Sequence, residues 1–199
     1  TNPGTEQEPL KSIQRAADLV KAGDTVFVMA GRYRGRVQLR TSGTDAQPVT
    51  FKALPRRAVR IEGFRVHASY NRVEGFEITA EQPQVAVQLG GSHCEILDNY
   101  IHHMMVGVAG TSGTSASDGA ARDYSGVAHN RIAYNKVHHS EYGFVLGGND
   151  WLVENNEVSE LFMYAPGNRF DDCDYSRFFG KGCVERCNYF HGSIASEIR

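Results

Sequence analysis

Five segments of the chain share one pattern: an apolar residue, two variable residues, Asn, one variable residue and a second apolar residue. They cover residues 73–78, 96–101, 132–137, 153–158 and 185–190. Two copies depart from the pattern. Phe76 stands in the Asn position of the first, and Glu185 replaces the leading apolar residue of the last. The copies end at residues 78, 101, 137, 158 and 190, in steps of 23, 36, 21 and 32. Such steps describe a base period of about 22 residues that carries two insertions. Between copies runs a second strand pattern that ends in glycine. It occupies 85–89 before Gly90-Gly91, 107–108 before Gly110, 143–146 before Gly147-Gly148, and 175–179 before Gly180.

A repeat this short cannot bury its own apolar face, but stacked repeats share one continuous core. Equivalent side chains then lie over each other at the strand spacing of about 4.8 Å. Stacked Asn side chains can hydrogen-bond up the column and hold a tight turn, since Asn tolerates left-handed backbone. A leucine-rich repeat needs a Leu-x-x-Leu-x-Leu frame that is missing here. A β-sandwich has no reason to place Asn at a fixed step. The expectation is an all-β parallel β-helix forming one domain over 1–199, with coils from residue 24 onward and insertions near 109–129 and 162–170.

Residues 10–22 read as an amphipathic helix, with Leu10, Ile13, Ala16, Ala17 and Val20 on one stripe and Gly23 at its end. Such a helix would cap the open end of a strand stack. Short strands are expected at 24–28, 35–40, 48–54 and 58–61, with a turn at Ala30-Gly31. Composition adds exclusions. Hydrophobic residues make up 41% and charged residues 22%, as in a globular chain. The net charge of −2 with no basic block lacks the footprint of nucleic-acid binding. No apolar run approaches the ~20 residues of a membrane span. Cys94, Cys173, Cys183 and Cys187 form no CxxC pair; one disulfide among the last three and free thiols are equal alternatives. The repeat closes at His191 without a capping element. The expectation is therefore a piece of a longer β-helix, or an open end that meets a partner such as a second copy of this chain.

The head of the chain reads Asn2-Pro3-Gly4-Thr5, Pro9-Leu10-Lys11-Ser12-Ile13-Gln14, Ala22-Gly23-Asp24-Thr25-Val26 and Ala30-Gly31-Arg32-Tyr33-Arg34, followed by Pro48-Val49-Thr50-Phe51-Lys52-Ala53. With the repeat, these stretches make nearly the whole chain similar to the pectate-lyase-like superfamily of right-handed parallel β-helices. The resemblance implies a secreted or periplasmic bacterial protein that works on a polysaccharide. It is specific for fold, because lyases, hydrolases, epimerases and uncharacterised members share this head.

Insertions in a solenoid project from one face and often build a binding groove. The first is rich in Gly and Ser. The second carries Tyr164, Arg169 and Phe170, suited to stacking on a sugar ring and taking a uronate carboxylate. Directly after it comes Asp171-Asp172-Cys173-Asp174. Three carboxylates in four residues repel each other. A calcium ion, a shared proton, or the nearby Arg177 and Lys181 could compensate.

Two chemistries follow from the resemblance. In a polyuronate lyase, Lys181 or Arg177 would be the base for the C5 proton, while Asp171, Asp172 and Asp174 held Ca2+ against an acidic polysaccharide substrate. In a polygalacturonase-like hydrolase, Asp171-Asp172-Cys173 and His191-Gly192 match in order and approximate spacing, so Asp171 and Asp172 would be the carboxylate pair and His191 would be catalytic with them. Where that family carries a third carboxylate, this chain reads Glu141-Tyr142-Gly143. A non-catalytic glycan-binding module is the third reading. The decisive feature is whether Asp171, Asp172, Arg177, Lys181 and His191 converge. Separately, His102-His103, His138-His139 and His191 recur at one place in the repeat, with Ser159 in the fourth copy. They are expected to cap the turn after the strand, and a metal site there depends on geometry.

Overall fold

The structure, a computed structural model, describes residues 2–110, 127–161 and 175–192. One short helix, α1 (Ile13–Ala17), precedes two long strands, β1 (Thr25–Leu39) and β2 (Val49–Val66). Short strands follow: β3 (Asn71–Glu74), β4 (Glu77–Ile78), β5 (Val85–Leu89), β6 (Glu95–Leu97), β7 (Tyr100–His102) and β8 (Val106–Gly110). The next coils supply β9 (Arg131–Ala133), β10 (Lys136–His138), β11 (Tyr142–Gly147), β12 (Leu152–Glu154) and β13 (Glu157–Ser159). The last are β14 (Ser176–Phe179), β15 (Val184–Arg186) and β16 (Tyr189–His191).

Every pairing is parallel, and the strands form three ladders around one axis. The first runs β2-β3-β6-β9-β12-β15, the second β2-β4-β7-β10-β13-β16 and the third β2-β5-β8-β11-β14. β1 lies along β2 through all three. The molecule is a right-handed parallel β-helix with an N-terminal helical cap, as the repeat predicts.

Stacking places like on like. On the first ladder Phe51, Val73, Ile96, Ile132 and Val153 are in register and face inward, all fully buried. On the second, Ile61, Ile78, Ile101, Val137 and Val158 do the same. Each such side chain contributes about 1.5–3 kcal/mol relative to an exposed one. Glu185 takes the inward register after Val153, at the open side of the last described coil. Desolvation raises its carboxyl above the ordinary range, and Ser176 Oγ donates to it at 3.0 Å.

The Asn column forms as expected. Asn99, Asn135, Asn156 and Asn188 stack at the corner between the first and second ladders. The backbone N–H of Phe76 donates to Asn99 Oδ1, Asn99 N to Asn135 Oδ1, Asn135 N to Asn156 Oδ1 and Asn156 N to Asn188 Oδ1. Phe76 thus tops the column through its backbone alone. The left-handed residue is not the Asn. It is the one before it: Gly75, Asp98, Tyr134, Asn155 and Cys187, with φ between 54° and 80°. The stacked Asn is buried and its amide is committed to the column, so the turn is made one residue earlier.

The glycines after the third-ladder strands have a steric cause. A Cβ on Gly91 would strike the Ala68 carbonyl, and one on Gly180 would strike the Gly148 carbonyl. Successive coils come closest at this third corner.

Two boundaries differ from the sequence pattern. The helix spans Ile13–Ala17 rather than 10–22, because the Ser12 side chain accepts from Arg15 N and sets the start, and Asp18 closes it. Its apolar stripe still seals the first coil, with Ile13, Ala16 and Ala17 buried. Gln14 extends the cap: it donates to Gln38 O at 3.2 Å and accepts from Gln38 N at 2.8 Å, occupying the outer edge of β1. Gly23 is left-handed at φ 88°, but beyond the helix end. The separate strands expected before residue 66 are instead two continuous ones. They bend through register shifts between Met29 and Gly31 and between Tyr33 and Arg36, so Ala30-Gly31 lies within a strand. Cys94, Cys183 and Cys187 are free thiols; Cys173 lies outside the described residues.

Candidate functional site

The second corner, where the second ladder turns toward the third, gathers most of the titratable chemistry. His102, His138, Ser159 and His191 are in register at the ends of β7, β10, β13 and β16. The next residue in each coil is left-handed: His103, His139, Glu160 and Gly192, with φ of 54°, 49°, 52° and 68°. In a plain strand neighbouring side chains point to opposite faces. The left-handed residue breaks that alternation and turns the two rings of each His pair toward one another.

The result is two stacked pairs. His102 lies over His138 with ring centroids 5.3 Å apart, and His103 over His139 at 5.0 Å, both nearly parallel. Within each pair the Nδ1 atoms face each other, at 2.8 Å for His102 and His103 and 2.6 Å for His138 and His139. The outer nitrogens are held as well. His102 Nε2 is 3.2 Å from Glu77 Oε1, and His138 Nε2 is 2.7 Å from the Tyr100 hydroxyl. Glu160 Oε2 lies 3.0 Å from His139 Nδ1. Burial pushes the His138 imidazole down to about 4, helped by repulsion from His102 and His139. Burial likewise lowers His102 and His103.

Below this cluster Glu157 links two coils. Lys136 Nζ is 2.9 Å and His191 Nε2 3.2 Å from the same Glu157 oxygen. The Lys136 hydrogen bond is the main reason its carboxyl sits below the ordinary range. The outer side of the second ladder therefore carries an axial row, Arg60, Glu77, Tyr100, Lys136, Glu157 and Tyr189, one residue per coil. The first ladder carries a charged row instead: Arg72, Glu95, Arg131, Glu154 and Arg186 pair in sequence. A cleft of about 220 Å³ lies near the helical end, lined by Arg36, Glu62, Ala80, Glu81, Gln82 and Gln84. Burial lowers the Arg36 guanidinium to about 10.

The residues singled out in the sequence fall in several places. Arg177 is on β14 of the third ladder, its guanidinium 5.0 Å from the centre of the Tyr142 ring. Lys181 sits in the third corner just after β14. Its backbone is fixed there, Lys181 N donating to Asn149 Oδ1 and Asp150 N to Lys181 O, both at 2.9 Å. His191 ends β16 on the second ladder against Glu157. These three stand on three different parts of the coil, each with its own partners. Tyr164, Arg169, Phe170, Asp171, Asp172 and Asp174 lie outside the described residues. Sequence reasoning missed Tyr100, Glu77, Lys136, Glu157 and Glu160. For Glu160 a signal was present, since Ser159-Glu160 occupies the place of His-His in the repeat.

Comparison with known proteins agrees with this architecture. Residues 1–39 match a family of unknown function, DUF1565. The chain is 28% identical to pectate lyase PEL9 of Emericella nidulans over 168 residues, covering 83% of this chain and 36% of that protein. It is 26% identical to the uncharacterised protein YwoF of Bacillus subtilis over 121 residues, covering 50% of this chain and 26% of that one. The chain thus spans about a third or less of the curated relatives it matches. Among solved structures it is similar to the PL6 family polysaccharide lyase Pedsa3628 from Pseudopedobacter saltans, with a TM-score of 0.63 at 17% identity over 89% of this chain and 44% of that one. Pectate lyase Pel9A gives a TM-score of 0.60 at 17% identity over 82% of this chain and 52% of that one. The fold is therefore the right-handed parallel β-helix that these two lyase structures also have. Among the described residues no helix is long and apolar enough to cross a membrane.

Proposed function

We propose that this β-helix belongs to a polysaccharide lyase that cleaves an acidic, uronate-containing glycan by β-elimination. The observation that carries the reading is the order of elements around β14. In sequence the acidic run 171–174 comes just before β14, Arg177 lies on β14, and Lys181 follows in the next corner. A carboxylate-rich segment and two cations thus follow one another within eleven residues of the sequence. The similarity to a pectate lyase over most of the chain supports the same reading.

Elimination needs the C5 proton removed by a base, the C4–O bond broken and the departing oxygen protonated. Lys181 is proposed as the base, with its backbone anchored and its side chain free to reach substrate; Arg177 is the alternative. Asp171, Asp172 and Asp174 are proposed to hold Ca2+, since hard carboxylate oxygens suit that ion. When bound, the ion would neutralise the substrate carboxylate. Tyr164, Arg169 and Phe170 are proposed to grip the sugar. The axial row on the second ladder offers one polar or aromatic side chain per coil to a linear polymer, at about 4.8 Å intervals.

A polymer too large to enter a cell is met outside it, which fits a secreted or periplasmic protein. The rival reading is a polygalacturonase-like hydrolase using Asp171 and Asp172, with His191 as a further catalytic group. Digestion of acidic polysaccharides separates them: elimination yields a product that absorbs in the ultraviolet, and hydrolysis yields reducing ends without it.

A further inference from the structure

The stacked histidine corner has a donor arrangement that the lyase reading does not use. Two adjacent imidazoles in an extended chain would diverge. Here left-handed backbone at His103 and His139 makes each pair converge, at about the same separation in two successive coils. The same left-handed turn recurs at Glu160 and Gly192 in the next coils, so the coil geometry itself fixes this position and with it the convergence of each pair.

Hydrogen bonding also sets where the lone pairs point. Glu77 can only accept, so His102 Nε2 carries the proton and its Nδ1 lone pair faces His103. A ring nitrogen held by an outer partner, with the other nitrogen aimed inward, is the usual second-layer arrangement of a metal-binding imidazole. The Tyr100 hydroxyl lies 2.7 Å from His138 Nε2 and would play the same outer part by accepting its proton when a metal takes Nδ1. One coil further on, Glu160 replaces the second histidine. Ligand atoms of His138, His139 and Glu160 lie within 4.8 Å of one another. Glu160 is exposed and the two histidines are half-buried, so an ion can enter from solvent.

Two imidazole nitrogens and one carboxylate oxygen suit zinc and its neighbours, whereas calcium and magnesium prefer oxygen alone. A tetrahedral zinc ion about 2.0–2.1 Å from both nitrogens sets them about 3.3 Å apart, so the His138–His139 pair, now at 2.6 Å, must open by about 0.7 Å through ring rotation. Three protein ligands leave a fourth position for water. We propose that His138, His139 and Glu160 form a site for a divalent transition-metal ion of the zinc type, with Tyr100 orienting His138 and the His102–His103 pair stacked beside it. This site uses none of the proposed calcium ligands and does not depend on the lyase reading.

The test is calorimetric titration of metal-free protein with Zn2+ alone, beside His139→Asn, Glu160→Gln, Tyr100→Phe and the control His129→Ala. Asn keeps the left-handed turn and removes the imidazole, and circular dichroism checks the fold of every variant. The expected result is stoichiometric Zn2+ uptake by the wild type, not displaced by excess Ca2+. Affinity should fall by tenfold or more in His139→Asn and by about tenfold in Tyr100→Phe, the size typical of an outer partner. His129→Ala, at the third corner, should bind like the wild type. Cobalt(II) on the wild type, read by its visible absorption, reports nitrogen ligation without any substitution. No uptake by the wild type, or equal uptake by folded His139→Asn, overturns the assignment.

Discussion

Asn135 rests directly on Asn156: its backbone N–H and its Nδ2 both donate to Asn156 Oδ1, at 2.9 and 3.0 Å. Asn135 Oδ1 in turn accepts from the backbone and side chain of Asn99, at 2.9 and 3.1 Å. Every polar atom of the side chain is buried and partnered. Asn135→Ala should therefore strand donors and acceptors in two neighbouring coils and cost about 3 kcal/mol. Asn188→Ala, at the less buried end of the column, should cost less. Denaturant midpoints of the two variants check the order.

The column was legible in the sequence because its spacing survives both insertions. The steps of 36 and 32 in the pattern are the separations of the bonded pairs Asn99–Asn135 and Asn156–Asn188. The left-handed residue was not legible, since Gly75, Asp98, Tyr134, Asn155 and Cys187 share no side-chain type. Nor were the long strands β1 and β2: they bend without breaking, through register shifts and the left-handed residues Gly35 and Arg57 inside them. At the candidate site the His pairs were visible, but their convergence depends on φ at the second residue of each pair. Lys136 and Glu157 are ordinary surface residues until register brings them to His191.

Gly91 faces the Ala68 carbonyl at the third corner, inside contact distance for any Cβ. Gly91→Ala should push two coils apart and destabilise the protein by about 1–3 kcal/mol, the range for overpacking. Gly35→Ala has open space around it and should show only the smaller strain of its φ of 82°. Thermal melting of both variants tests the contrast.

Glu154 is 8% exposed and lies between Arg186 and Arg131, at 2.6 and 2.7 Å. Hydrogen bonds from Arg186 and then Arg131 hold its carboxyl below the ordinary 4.5. The folded state therefore favours the carboxylate. Its contribution is fully present above the ordinary value and is lost as pH falls through the lowered one. Stability measured from neutral pH downward should drop below pH 4.5, and Glu154→Gln should be weaker at neutral pH with a flatter acid limb.

Lys181 is anchored by its backbone, so truncating its side chain leaves the corner intact. Lys181→Ala should lower kcat by about a hundredfold or more, as loss of a general base does, at an unchanged melting temperature. A chelator should abolish elimination, with Ca2+ restoring it and Zn2+ failing to. Asp172→Asn should raise the Ca2+ concentration needed. Full activity in Lys181→Ala with loss in Arg177→Ala would move the base to β14.

The most direct test of the account is digestion of acidic polysaccharides with the protein in Ca2+, following ultraviolet absorbance and reducing ends together. The account predicts that both rise in step on a uronate-containing polymer, and that neither rises on a neutral one. Reducing ends rising without absorbance would contradict elimination and favour hydrolysis. No change in either, with the polymer still bound, would leave a glycan-binding β-helix in place of a lyase.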